Sequence, residues 1–161
     1  MSGSLLGVDL GDRRVGLALA DADTRLARPF RTVRRGASVA DDVAVLRRIC
    51  DEQRVTALVV GLPIEASGID GPMAAAARVW AAAVGEALGV PVTLRDERLS
   101  SFVAERRVGP MPRGRSGGPP TRTQREAHRE RIDREAAAVI LQDELDATPA
   151  DSPAHAPQVS A

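Results

Sequence analysis

The sequence predicts an α/β fold: one five-stranded mixed sheet, its first three strands antiparallel and its last two parallel, flanked by helices. Three observations lead there. Three β-rich stretches follow one another through short links within the first 34 residues. Two further strand patterns are each preceded by a helical pattern long enough to cross over a sheet. The chain's 161 residues, 43% of them hydrophobic, suffice for the core of one domain.

Residues 5–10 ("LLGVDL") and 15–21 ("VGLALAD") read as strands around the tight corner "GDRR", and 29–34 ("PFRTVR") as a third. A helix is expected from Ser38, a suitable N-cap, to Gln53, with Val39, Val43, Leu46 and Cys50 on one stripe. "TALVVG" (56–61) is the fourth strand. The next helix starts at "DGPMA", where Pro72 suits the first helical position after Gly71, and Gly89 stops it. "PVTLR" (91–95) is the fifth strand, and helices follow over 101–108 and 125–145. Between those two, "GPMPRGRSGGPPT" holds too much Gly and Pro for regular structure. The domain is read as 1–146. Residues 147–161 have almost no large apolar side chains and are expected to form a disordered, acidic tail.

Composition removes several classes of function. With two Phe, one Trp and no Tyr, a base-stacking platform has no material. The single cysteine, Cys50, excludes an internal disulfide framework and a cysteine-rich zinc site. No apolar run is long enough to span a membrane and no signal-peptide pattern opens the chain, so a cytoplasmic protein without membrane partners is expected. Formal charge is zero overall but uneven. Residues 106–134 carry nine arginines against three acids, whereas 143–161 carry four acids and no arginine, which suggests a polyanion-binding surface on part of the molecule.

Two carboxylates stand where apolar residues belong. Strand alternation puts Asp9 on one face with Leu5 and Gly7, while Leu6, Val8 and Leu10 take the other. Asp133 is followed by Ala136, Ala137 and Ile140, spacings that place it on the sheet-facing stripe of the last helix. An unpaired buried carboxylate is costly, so Asp9 reads either as a cap on the following corner or as a metal ligand with partners elsewhere. Asp96 and Glu97, where the fifth strand meets the next helix, offer such partners. Acids from a central strand, a strand end and a sheet-facing helix suit Mg2+ or Mn2+, hard cations that take oxygen ligands and can serve phosphodiester hydrolysis.

Four stretches, "GVDLGDRRVGLALAD", "VVGLPIEASGIDGPMA", "DERLSS" and "DREAAAVILQ", resemble the pre-16S ribosomal RNA nuclease (YqgF) family, similar to Holliday-junction resolvases, over residues 4–145. The resemblance implies an RNase H-like fold and a metal-dependent nuclease acting in 5′-end processing of precursor 16S rRNA. Its alternatives are a resolvase of branched DNA and a non-catalytic binder of nucleic acid or ribosome. It also implies Asp9, Glu97 and Asp133 as catalytic metal ligands, with Asp96 orienting or capping. Gly61, Leu62 and Pro63, with Asp70, Gly71 and Pro72, would shape a loop beside the site, and Arg13 and Arg14 would grip phosphate. Arg113, Arg115 and Arg122 are the candidates in the basic segment, which is longer than the family's and made of arginine alone. The "DLG" start also resembles the first phosphate loop of actin-like kinases, but those close two domains over a nucleotide, and no second glycine-rich phosphate loop occurs here.

Overall fold

The computed structural model describes residues 2–63, 71–97 and 99–150. Strands β1 (Ser4–Leu10), β2 (Arg14–Asp21) and β3 (Ala27–Arg34) form an antiparallel meander, and β4 (Val55–Leu62) and β5 (Val92–Asp96) add to β1 in parallel. The resulting order is β3-β2-β1-β4-β5, the mixed sheet that the sequence predicts. β1 lies in the middle, so its side chains are covered on both faces.

Helices α1 (Val39–Gln53) and α2 (Pro72–Leu88) cover one face, and α4 (Arg122–Ala147) covers the other, with α3 (Ser100–Val108) packed against α4. The first face is a conventional core in which Leu6, Val8, Val15, Leu17, Leu58 and Val60 meet Leu46, Ile49, Trp80 and Val84. Ser38 caps α1 in a reciprocal box with Asp41, Pro72 opens α2 after Gly71, and Gly89 ends it at φ 68°. No helix among the described residues is long and apolar enough to cross a membrane.

Most boundaries fall within one residue of the expected ones, and three shift further. β3 begins at Ala27, not at residue 29, because it follows β2 down to Ala20 and, as an edge strand, tolerates Pro29. α4 begins at Arg122, since Thr121 and Gln124 form a second capping box that the "TRTQ" spelling announces. α4 also continues to Ala147, one residue into the expected tail, of which residues 151–161 lie outside the described residues.

The second face is built differently, from small residues. Ala18, Ala20, Ala137 and Ala138 dominate it, with Val59, Ile140, Leu141 and Leu145. A Cβ placed on Gly7 would fall 2.7 Å from the Ala137 carbonyl oxygen, and one on Gly16 would fall 2.0 Å from that of Asp133. Here the backbone of α4 rests on the sheet. Gly16→Ala should therefore destabilise the protein by about 1–3 kcal/mol, the usual cost of overpacking, and lower its melting temperature in thermal unfolding. An unchanged melting temperature would show that α4 can retreat at no cost.

Candidate active site

Asp9 occupies the end of β1 on the α4 face and is paired in register with Gly16. Because Gly16 has no side chain, the neighbour of Asp9 on that side is α4 itself, at Asp133. Alternation along β1 and the helical stripe thus bring the two misplaced carboxylates to one place. The following corner is closed by backbone, Gly11 N–H donating to the Arg14 carbonyl at 2.9 Å.

Glu97 joins from the end of β5. Its N–H donates to the Leu62 carbonyl at 3.1 Å, and its own carbonyl accepts from the Ser100 N–H at 2.9 Å and the Ser100 hydroxyl at 2.8 Å. Both backbone groups are therefore fixed, and Ser100 of "DERLSS" is what fixes the second. A Cβ on Gly61 would lie 2.5 Å from Glu97 Oε2, so the glycine of "GLP" leaves room for the carboxyl. Pro63 follows, and Gly71 and Pro72 start α2, whereas Asp70 lies outside the described residues.

The Glu97 carboxyl faces Asp9, and its Oε2 is buried with no hydrogen-bond partner. Burial above all raises Glu97 from an ordinary 4.5 to about 9, and the charge of Asp9, the hydrogen bond between the two and the charge of Asp96 add to the rise. Burial likewise raises Asp9 from 3.8 to about 6; the bond with Glu97 opposes the shift and the charge of Asp133 reinforces it. The two carboxyls hold a proton between them near neutral pH.

Asp133 is satisfied otherwise, its Oδ2 accepting from Arg14 Nε at 2.6 Å. Among the described residues no three Asp, Glu, His or Cys side chains are gathered closely enough to form a metal cage. The donor set still fits a hard divalent cation. Its donors are all carboxylate oxygens, one of them is buried without a partner, and a cation would replace the proton that Asp9 and Glu97 share.

The remaining predicted residues are exposed. Arg13 is exposed at the hairpin corner and Asp96 is exposed beside Glu97. Arg113 and Arg115 are exposed in the loop before α4, and Arg122 pairs with Glu126 at 2.9 Å. Eleven residues separate Arg122 from Asp133 on one helix, about 16 Å along its axis.

Sequence reasoning missed three features. Beyond the Arg14–Asp133 pair, the buried Asp42 accepts from Trp80 Nε1 at 2.9 Å, Gly36 N–H at 2.7 Å and Arg35 Nε at 3.3 Å. Arg35 also donates to the Gly11 carbonyl at 3.1 Å, so Asp42 anchors the corner that follows Asp9. In sequence it resembles any acid in a helix's first turn. Third, Leu99 and Phe102 are exposed just after Glu97, with the Arg106 guanidinium 5.8 Å from the Phe102 ring centroid.

Residues 3–147 match a family described as "RuvX: Holliday junction resolvase". A relative from Anaeromyxobacter dehalogenans (strain 2CP-C), named "Putative pre-16S rRNA nuclease", is 49% identical over 142 residues, which is 88% of this chain and 95% of the relative. One of the same name from Cereibacter sphaeroides (strain KD131 / KCTC 12085) is 39% identical over 145 residues, 90% of this chain and 84% of the relative. Among solved structures, T. thermophilus RuvC in complex with Holliday junction substrate aligns with 90% of this chain and 94% of that one at a TM-score of 0.51 and 16% identity, a likeness of fold.

The raised Glu97 makes metal-free stability depend on pH in a definite direction. Unfolded it titrates near 4.5 and folded near 9, so between those values the folded chain keeps a proton that the unfolded chain has lost. The stabilisation is complete below the lower value and is lost as pH rises through the upper one. Glu97→Gln should accordingly raise the melting temperature of the metal-free protein at pH 8 and change it little at pH 4, as read by thermal unfolding in chelator. A lower melting temperature at pH 8 would mean that the charged carboxylate is itself stabilising.

Proposed function

The chain belongs to the RuvX family, and from that membership together with its carboxylate site we propose that it cuts precursor 16S rRNA in a divalent-metal-dependent reaction. It is a nuclease, a hydrolase acting on phosphodiester bonds, with an RNase H-like fold. The observation that carries the metal reading is the Glu97 carboxyl facing Asp9 with its Oε2 buried and unpartnered, and Asp133 on the helix pressed against the next strand. Asp9, Glu97 and Asp133 would hold Mg2+ or Mn2+, which would offset charge on the scissile phosphate and make an attacking water more acidic.

The chain's own residues contribute position and charge. Asp9 stands on the central strand and Glu97 is tied by backbone bonds on both sides, so two of the three carboxylates cannot drift. Arg13 and Arg14, carried by the hairpin that follows Asp9, would take phosphate oxygens of a bound strand. Arg113, Arg115 and Arg122 supply affinity that is blind to sequence. The name shared by the relatives supports precursor rRNA, and with it the ribosome, as partner. The family description and the fold shared with a junction-bound RuvC support branched DNA as the second reading.

Cleavage of precursor 16S rRNA and of a four-way DNA junction, assayed side by side with Mn2+, Mg2+ or chelator, tests both. RNA should be cut in preference and only with metal. Asp9→Asn and Asp133→Asn should each lower the rate by about a thousandfold or more while the proteins stay folded. Metal-independent cleavage, or full activity of either variant, would overturn the metal reading.

Neutralising Arg113, Arg115 and Arg122 together should weaken binding uniformly across sequences. The slope of log affinity against log salt should become shallower by roughly one unit for each phosphate that the protein no longer neutralises. Unchanged affinity and slope would make the segment a passive linker.

A further inference from the structure

Asp133 already has a cation, supplied by the chain. Arg14 opens β2 two residues before Gly16, so its side chain leaves the same face of the sheet, and the backbone of α4 at Asp133 lies against Gly16. Two touching backbones therefore set the pair, and its Nε–Oδ2 distance of 2.6 Å is that of a strong charge-assisted hydrogen bond. With side chains 28% and 23% exposed, the pair is sheltered yet open to displacement from solvent. The charge of Arg14 is taken up by Asp133. No three carboxylates stand gathered for a metal among the described residues, and the Arg14 bond accounts for the missing third.

A divalent ion bound among Asp9, Glu97 and Asp133 has to compete with that guanidinium. Arginine cannot lose its proton, so once displaced it remains a full positive charge with two edges of donors, beside the position a phosphodiester must occupy. We propose that Arg14 is the site's exchangeable counter-ion: it holds Asp133 until metal takes that carboxylate, and the guanidinium so released grips the substrate phosphate. The inference rests on the reading of Asp9, Glu97 and Asp133 as a metal site and adds a coupling to it. Metal raises affinity for the nucleic acid, and by reciprocity the nucleic acid raises affinity for metal by the same factor. An ion pair that only stapled α4 to the sheet would stabilise the fold and leave both affinities alone.

The experiment is a Mn2+ titration of the full chain, read from the spectroscopic signal of free Mn2+, for wild type, Arg14→Lys, Arg14→Gln and Asp9→Asn. Each is measured alone and with a 5′-phosphorylated RNA tetranucleotide verified to stay uncut. Without RNA, Arg14→Gln should bind Mn2+ about three- to tenfold more tightly than wild type, the range expected for removing one partly buried competing charge, and Arg14→Lys should stay near wild type. RNA should tighten Mn2+ binding to wild type and leave Arg14→Gln unaffected. Equal or weaker Mn2+ binding by Arg14→Gln, in a series where Asp9→Asn abolishes it, would overturn the exchange and spare the metal site. Absence of Mn2+ binding by wild type, or full binding by Asp9→Asn, would overturn the metal reading and this inference together. Were Arg14→Gln unable to fold, the wild-type arms alone would decide, because Mn2+ affinity indifferent to RNA contradicts the coupling.

Discussion

The carbonyl of Asp133 lies against Gly16 at a separation that no residue with a Cβ would permit, and the site is assembled around that close approach. An ordinary sheet and helix stand about 10 Å apart because side chains fill the space between them. Here glycine and alanine leave little to fill, so a carboxylate on the helix can meet one on the strand. The opposite face, packed with Leu, Val, Ile and Trp, does the holding. The molecule therefore has a thick face that stabilises it and a thin face that gathers the acids, divided by one sheet.

That division explains which features are legible in the sequence. The alternation of β1 is a local property, and it puts Asp9 on the face that α4 covers without reference to any partner. The stripe of Asp133, Ala136, Ala137 and Ile140 is local too, and it holds. What escaped is non-local. Nothing in "GDRRVG" says that Arg14 will spend its charge on a residue 119 positions away, and nothing in "ADD" separates the buried Asp42 from its exposed neighbour Asp41. The signal that could have found the first was glycine inside a strand, which marks a close approach of another backbone; Gly7 and Gly16 both carried it. The ends of β3 and α4 were missed for a lesser reason, that edge pairing and a capping box extend an element past its apolar pattern.

The electrostatics of the site follow from its placement. Water-exposed carboxylates on three separate elements would repel weakly and go unnoticed. On the thin face they lose hydration, and each finds a different remedy: Asp9 and Glu97 share a proton, and Asp133 takes the arginine. Both remedies neutralise charge without filling the buried lone pairs of Glu97 Oε2, which a hydrogen-bonded structural acid would have satisfied. Asp42 shows the contrast within the same chain, since its carboxylate is buried as deeply but accepts from an indole, a backbone N–H and a guanidinium.

Asp42 and Asp133 are also connected. Asp42 holds Arg35, Arg35 holds the Gly11 carbonyl, and Gly11 closes the corner that carries Arg13 and delivers Arg14 to Asp133. The fully satisfied carboxylate on the thick face thus fixes the hairpin whose arginine binds Asp133 on the thin face. Satisfied polar groups make a rigid support because each alternative arrangement forfeits several bonds at once. An unsatisfied group close to such a support is kept from relaxing, which is what the proposed cation site asks of Glu97 Oε2.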